Sequence, residues 1–288
     1  MDYITIPAKK FVKTKIPFSK RCTKHDNNSI SKIGEFILYQ YENYQKTQKL
    51  LTTKNTPLVI GVNGSVASGK SYNADKLAQK LTSCNVKCAI LSTDNFIFSN
   101  KELEKRKIMH LKGFPDSYDW NKLIKSIRQI KNNKTVYTPL YDQSISDISK
   151  KKIKIPKNMN VIIIEGINLL IPHLNLLENN KLTVKSKKYS VLLSDFLDIS
   201  IFINAPETFL KRWFYKRLQK KKTLWKTIGT KKNLTRKTNK QFKNWAMNIW
   251  NKINSKNLHE FILPFKRRAD IIVTKDRNHH IKEFSFKL

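Results

Sequence analysis

The segment Gly64-Ser65-Val66-Ala67-Ser68-Gly69-Lys70-Ser71 fits the pattern G-x-x-x-x-G-K-[ST] and stands between the apolar run LVIG at 58–61 and a helix-compatible stretch at 71–81. A phosphate-binding loop requires that order of strand, loop and helix. Its glycines let the backbone curl around a polyphosphate with successive N–H groups facing the anion. Lys70 is spaced to reach the outer phosphates, and Ser71 to offer an oxygen to Mg²⁺. This one segment points to an α/β fold that binds a nucleotide.

Further apolar runs extend the pattern on either side. Residues 89–93 end on Asp94, 161–164 end on Glu165, and 199–203 end at Asn204-Ala205-Pro206. Short apolar runs without alternation suit strands covered on both faces, and a parallel sheet gathers its ligands at the carboxyl ends of its strands. Both carboxylates are therefore expected at the rim that carries the phosphate loop. Runs at 271–274 and 281–286 are expected to close the sheet, and Ile33, Phe36, Ile37, Tyr41 and Tyr44 mark an amphipathic helix over 30–51.

Phosphoryl transfer needs a positioned Mg²⁺, cations on the moving phosphoryl oxygens and a carboxylate near the attacking hydroxyl. Asp94 and Glu165 supply the acidic half. Each taken alone fits a helix N-cap or a strand-end charge equally well; beside the loop, catalysis or metal binding is the better reading. Lys112, which leads the segment KGFPDSYD at 112–119, and Arg217 are the candidate cations. A guanidinium suits phosphate oxygens because its fork can bind two at once.

The formal net charge of +36, from 57 Lys and Arg against 21 Asp and Glu, invites a nucleic-acid reading. The lysines, however, are spread along the whole chain with abundant Asn and Ile, the pattern that codon drift in an AT-rich genome produces. No zinc-finger spacing, RNA-recognition aromatic motif or basic zipper accompanies them. Dedicated nucleic-acid binding is not expected. No apolar run approaches the roughly 18 residues of a membrane span, so no membrane partner is expected either and the chain reads as cytoplasmic. His279 and His280 lack a third ligand at suitable spacing, and Asp195 and Asp198 read as turn and cap residues.

At the level of longer motifs the chain resembles the bacterial type I pantothenate kinases. The likeness is carried by GSVASGKS at 64–71, STDNF at 92–96, MHLKGFPDSYDW at 109–120, TPLYD at 138–142, IIIEGINLL at 162–170, SDFLDISIFINAPE at 194–207 and WNKINSKNLHEFILPFKRRAD at 250–270. It implies a three-layer mononucleotide-kinase-like α/β fold with a mainly parallel sheet. A helical extension over 1–57 would precede a kinase domain over 58–288, whose substrate lid spans about 209–254. It further implies ATP- and Mg²⁺-dependent phosphorylation of pantothenate by a homodimer that pairs through the helix after the loop. By resemblance, Asp94 takes the hydroxyl proton, Lys70 and residues 64–71 hold ATP, and Ser71 and Glu165 hold the metal. Lys112 and Arg217 attend the phosphates, and Tyr141, Phe214 and Asn254, rather than Asn257, attend pantothenate.

Two departures from the family pattern bear on regulation. Gln143 stands where the family has His, and Asp75 where it has Arg; both family residues belong to the pocket in which coenzyme A competes with ATP. Weakened coenzyme A feedback is the expectation. A related uridine kinase or phosphoribulokinase-like enzyme, and a decayed polyanion-binding protein, are the alternatives.

Overall fold

A computed structural model describes residues 2–13, 29–51, 56–172 and 192–288. Its centre is a seven-stranded sheet. In chain order the strands are β1 (Tyr3–Pro7), β2 (Leu58–Gly64), β3 (Cys88–Ser92), β4 (Val136–Asp142), β5 (Asp147–Ile155), β6 (Val161–Gly166), β7 (Ile199–Asn204), β8 (Ile271–Lys275) and β9 (Ile281–Lys287). The sheet runs β1-β9-β8-β7-β2-β6-β3, while β4 and β5 form a separate hairpin. From β8 to β3 neighbouring strands are parallel; β9 and β1 add antiparallel edges.

The continuous apolar runs have a direct cause, since both faces of the sheet are covered. Leu58, Ile60, Val62, Val161, Ile163, Ile201, Ile203, Ile271 and Val273 face one core, whereas Val59, Ile162 and Ile164 face a second and Phe202 and Ile272 a third. On the first face lie α1 (Ala8–Val12), α2 (Ser29–Leu51) and α3 (Lys70–Ser83). The other face receives α5 (Trp120–Lys131), which follows the short α4 (Asn100–Lys105). The expected helix over 30–51 is α2; it crosses α3 so closely that a side chain at Gly34 would meet Lys80 Cγ at 2.6 Å.

The N-terminal region is more than a helical extension. β1 pairs with β9, Phe11 packs against Phe284 at 4.6 Å between ring centroids, and Ile37, Leu38 and Tyr41 enter the sheet's own core. The β4–β5 hairpin was also not read from the sequence.

A helical segment leaves the end of β7 over the stretch expected to form the lid. It comprises α6 (Glu207–Thr227), followed by α7 (Lys232–Thr235), α8 (Asn239–Ile249) and the π-helical turn Trp250–Asn254. Glu207 ties its two ends together. Its Oε1 accepts from Trp250 Nε1 at 3.2 Å and from Ser255 Oγ at 2.6 Å, and its Oε2 lies 2.8 Å from His259 Nε2. These bonds, led by the one from Ser255, hold the carboxyl below the usual glutamate range.

Candidate active site

The loop after β2 turns on backbone that side chains resist. Gly64 and Gly69 have φ of +149° and +87°, and a Cβ at Gly64 would strike the Ile203 carbonyl oxygen at 2.7 Å. Lys70 folds onto its own loop and donates to the Ser65 carbonyl at 2.9 Å. Burial pulls its pKa down, opposed by Glu165 and then Asp94. Lys275, at the end of β8 and only 4% exposed, braces the loop from below by donating to the Ser68 carbonyl at 3.1 Å.

Sheet register sets the acidic residues. Glu165 pairs with Ser92 on β3 and with Val62 on β2, two residues before the loop begins. Its carboxylate accepts from Ser71 Oγ at 3.2 Å and from Ser92 Oγ. Asp94 lies in the turn Thr93–Phe96 that follows β3, partly exposed, with Tyr118 OH 3.4 Å from its Oδ1. Burial, then the charge of Glu165, raises the Asp94 pKa, while Lys70 and Arg217 act against the rise. The proximity depends on Gly166, because a side chain there would run into Thr93.

The hairpin and α6 border the site from two further directions. Asn95 Oδ1 accepts from Tyr141 N at 2.9 Å, which docks β4 on the turn that carries Asp94. Arg217 on α6 donates to Gln143 Oε1 at 3.0 Å across the opening. Between loop and lid lies a cleft of about 790 Å³ lined by Gly69, Lys70, Ser71, Arg217, Trp213 and His279, among others. At its far end the Trp213 and His279 rings stack with centroids 3.7 Å apart.

Lys70, Ser71, Asp94, Glu165 and Arg217 are thus brought together as expected. Lys112 stands apart from that cleft: its ammonium donates to Asn100 Oδ1 and to the Ser146 carbonyl, 5.4 Å from the centre of the Tyr141 ring. Phe214, expected against the acceptor, instead packs inside the lid core with its ring 5.5 Å from Trp250. Asn254 is buried with Nδ2 unbonded, whereas Asn257 spends its Nδ2 on the Gly113 carbonyl at 2.6 Å. Asp195 and Asp198 are structural, accepting from Leu192 N at 3.0 Å and Val59 N at 2.7 Å. Among the described residues no cluster of three or more His, Cys, Asp or Glu could hold a metal, and no helix is long and apolar enough to cross a membrane.

Sequence reasoning weighed His279 only as a metal ligand lacking partners, and it missed Lys221 and Lys275 entirely. Uniform lysine enrichment hid the last two. Only the fold separates them from some fifty other cations.

Comparison with known proteins follows the same lines. The model of the Phosphoribulokinase / Uridine kinase family matches residues 59–206. A pantothenate kinase from Ligilactobacillus salivarius is 36% identical over 245 residues, covering 80% of this chain and 72% of that protein. One from Vibrio cholerae is 36% identical over 237 residues, covering 81% and 73%. The solved D-glycerate 3-kinase from Cryptococcus neoformans var. grubii superposes with a TM-score of 0.61 over 89% of this chain and 99% of its own, at 18% identity, and so shares the fold.

Proposed function

The chain belongs to the pantothenate kinases, and on that premise we propose that it phosphorylates the primary hydroxyl of pantothenate with ATP, the first step toward coenzyme A. The observation that carries the reading is the convergence of Asp94, Glu165 and Lys70 at the ends of β3, β6 and β2. In the transfer, the hydroxyl oxygen forms a bond to the γ-phosphorus, the bond from that phosphorus to its bridging oxygen breaks, and ADP leaves. Asp94 accepts the hydroxyl proton. Lys70 leaves the Ser65 carbonyl for the phosphates, Arg217 offers its fork to the moving phosphoryl group, and the Trp213–His279 stack is a flat surface that fits a nucleobase.

Ser71 and Glu165 offer oxygens that would hold a Mg²⁺ ion, a hard cation that takes oxygen ligands. When bound it neutralises phosphate charge. On the acceptor side, Tyr141 and the free Nδ2 of Asn254 are proposed to hold pantothenate, with Lys112 beside Tyr141 and Phe214 supporting from the core. A homodimer through α3 would use its exposed stripe of Tyr72, Lys76 and Gln79.

We further propose weakened feedback by coenzyme A. Asp75 is exposed near Glu165, whose charge, after burial, raises its pKa, and an anion there repels phosphate. The test is ADP release by the protein with Mg²⁺ and ATP, with and without pantothenate, then with coenzyme A added. Release independent of pantothenate would overturn the substrate assignment. Inhibition by coenzyme A as strong as in a relative carrying Arg and His at these positions would overturn the regulatory one.

A further inference from the structure

Lys221 lies one turn beyond Arg217 on α6, and the two cations converge on a single neutral side chain. Gln143 Oε1 accepts from Arg217 Nη2 at 3.0 Å and from Lys221 Nζ at 3.0 Å, and the Gln143 carbonyl accepts from Lys221 Nζ at 3.2 Å. An amide oxygen orients two cations without cancelling either charge, as a carboxylate would. Both residues line the cleft that also holds Lys70 and Ser71. We infer that Lys221 is a further phosphate-binding cation of this site, directed with Arg217 at the terminal phosphate of the nucleotide, and that Gln143 holds the pair in place until that anion arrives. The inference rests on the ATP-dependent reading above, but it is independent of the acceptor.

Alternative roles for Lys221 fit less well. A surface lysine placed for solubility would extend into water, whereas this one is half-buried with its ammonium bonded twice to Gln143. No carboxylate partners it through a salt bridge among the described residues. The charged groups that face it are Arg217 on its own helix and Asp94 on the turn after β3, with neutral Gln143 from the hairpin. Burial, then Arg217, pushes the Lys221 pKa down to about 8, with Asp94 opposing. Lys221 therefore carries its charge at pH 7 and loses it as pH rises through about 8 in the ligand-free protein. A bound polyphosphate restores that charge by stabilising the protonated form.

The test is equilibrium binding of ATP and of ADP to the whole chain without acceptor, from pH 7 to pH 10, for the wild type, Lys221→Met and Lys221→Arg. At pH 7, Lys221→Met should lose about 10-fold of the preference for ATP over ADP, as expected for one charge-assisted hydrogen bond. The wild-type preference should decline above about pH 8, the decline should be absent in Lys221→Met, and Lys221→Arg should move it to the top of the range or beyond. An unchanged ATP-to-ADP ratio in Lys221→Met would overturn the inference. So would a decline near pH 8 that persists in Lys221→Arg, since it would belong to another group such as Lys275. Failure of pantothenate to be phosphorylated would leave these measurements standing, whereas failure of the wild type to bind ATP would overturn both readings.

Discussion

Replacing Gly166 by Ala tests whether the spacing between β6 and the turn after β3 sets catalysis. The added Cβ would lie 2.9 Å from Thr93 Cγ2 and 3.0 Å from Thr93 Cβ, with Thr93 Oγ1 nearer still, where ordinary contact begins at 3.4 Å. The two segments must therefore part by roughly 1 Å, and overpacking of that kind costs about 1–3 kcal/mol. For a chain of this size the melting temperature should fall by a few degrees. Asp94 is bonded directly to the displaced residue, so its carboxylate moves with it. A misplacement of about 1 Å at a reacting group can cost about 100-fold in kcat. Thr93 supplies the control. Its Oγ1 is buried without a hydrogen-bond partner, so Thr93→Ala alone should leave activity near the wild-type level. In the double variant the nearest remaining atom is Cβ at 3.0 Å, a gap that small adjustments can accommodate. Steady-state turnover and thermal melts of both single variants and the double variant check the reasoning. If Gly166→Ala keeps wild-type kcat while losing stability, or if the double variant stays as inactive as Gly166→Ala, the proposed link between this contact and Asp94 is refuted.

Lys70→Met should abolish turnover while the circular dichroism spectrum and melting temperature change little; retained turnover would remove the loop from the mechanism. Asp94→Asn should be inactive yet more thermostable at pH 7. The folded-state pKa of Asp94 is raised, so its ionised form opposes folding, and the gain should shrink as pH falls toward the ordinary value of 3.8; a gain that grows on acidification would contradict this sign. Asn254→Ala should raise KM for pantothenate by about 10-fold with little change in melting temperature, because its Nδ2 serves no protein partner. Asn257→Ala should instead lower the melting temperature, because it breaks a 2.6 Å bond to Gly113; equal effects of the two changes on KM would erase the distinction. Glu207→Gln should destabilise the protein at neutral pH and lose that effect on acidification below the ordinary value of 4.5, since the folded-state pKa is depressed.

Much of the site is legible in the sequence because its chemistry is local there. The phosphate loop and the strand-end carboxylates Asp94 and Glu165 each occupy one short segment, and register in a parallel sheet brings such ends together without further instruction. Residues whose role depends on what faces them were not legible. Phe214 and Arg217 share a helix three residues apart, yet one turns into the lid core and the other into the cleft. Lys112, Lys221 and Lys275 are indistinguishable by composition, and burial and partners alone separate them. β1 escaped notice because its pattern, YITIP, is short and gains meaning only from pairing with β9 at the far end of the chain.

The sequence by itself determined the fold class and the anion-binding loop, which are written in backbone requirements and apolar periodicity that neighbouring residues impose on one another, and the family through the resemblance carried by its longer motifs. The tertiary structure alone decided which of many lysines carry consequence, which asparagine keeps a free donor, and why Gly166 tolerates no side chain. Those properties arise from desolvation and van der Waals contact between segments dozens to hundreds of residues apart, and a linear chain does not state which of its parts will meet.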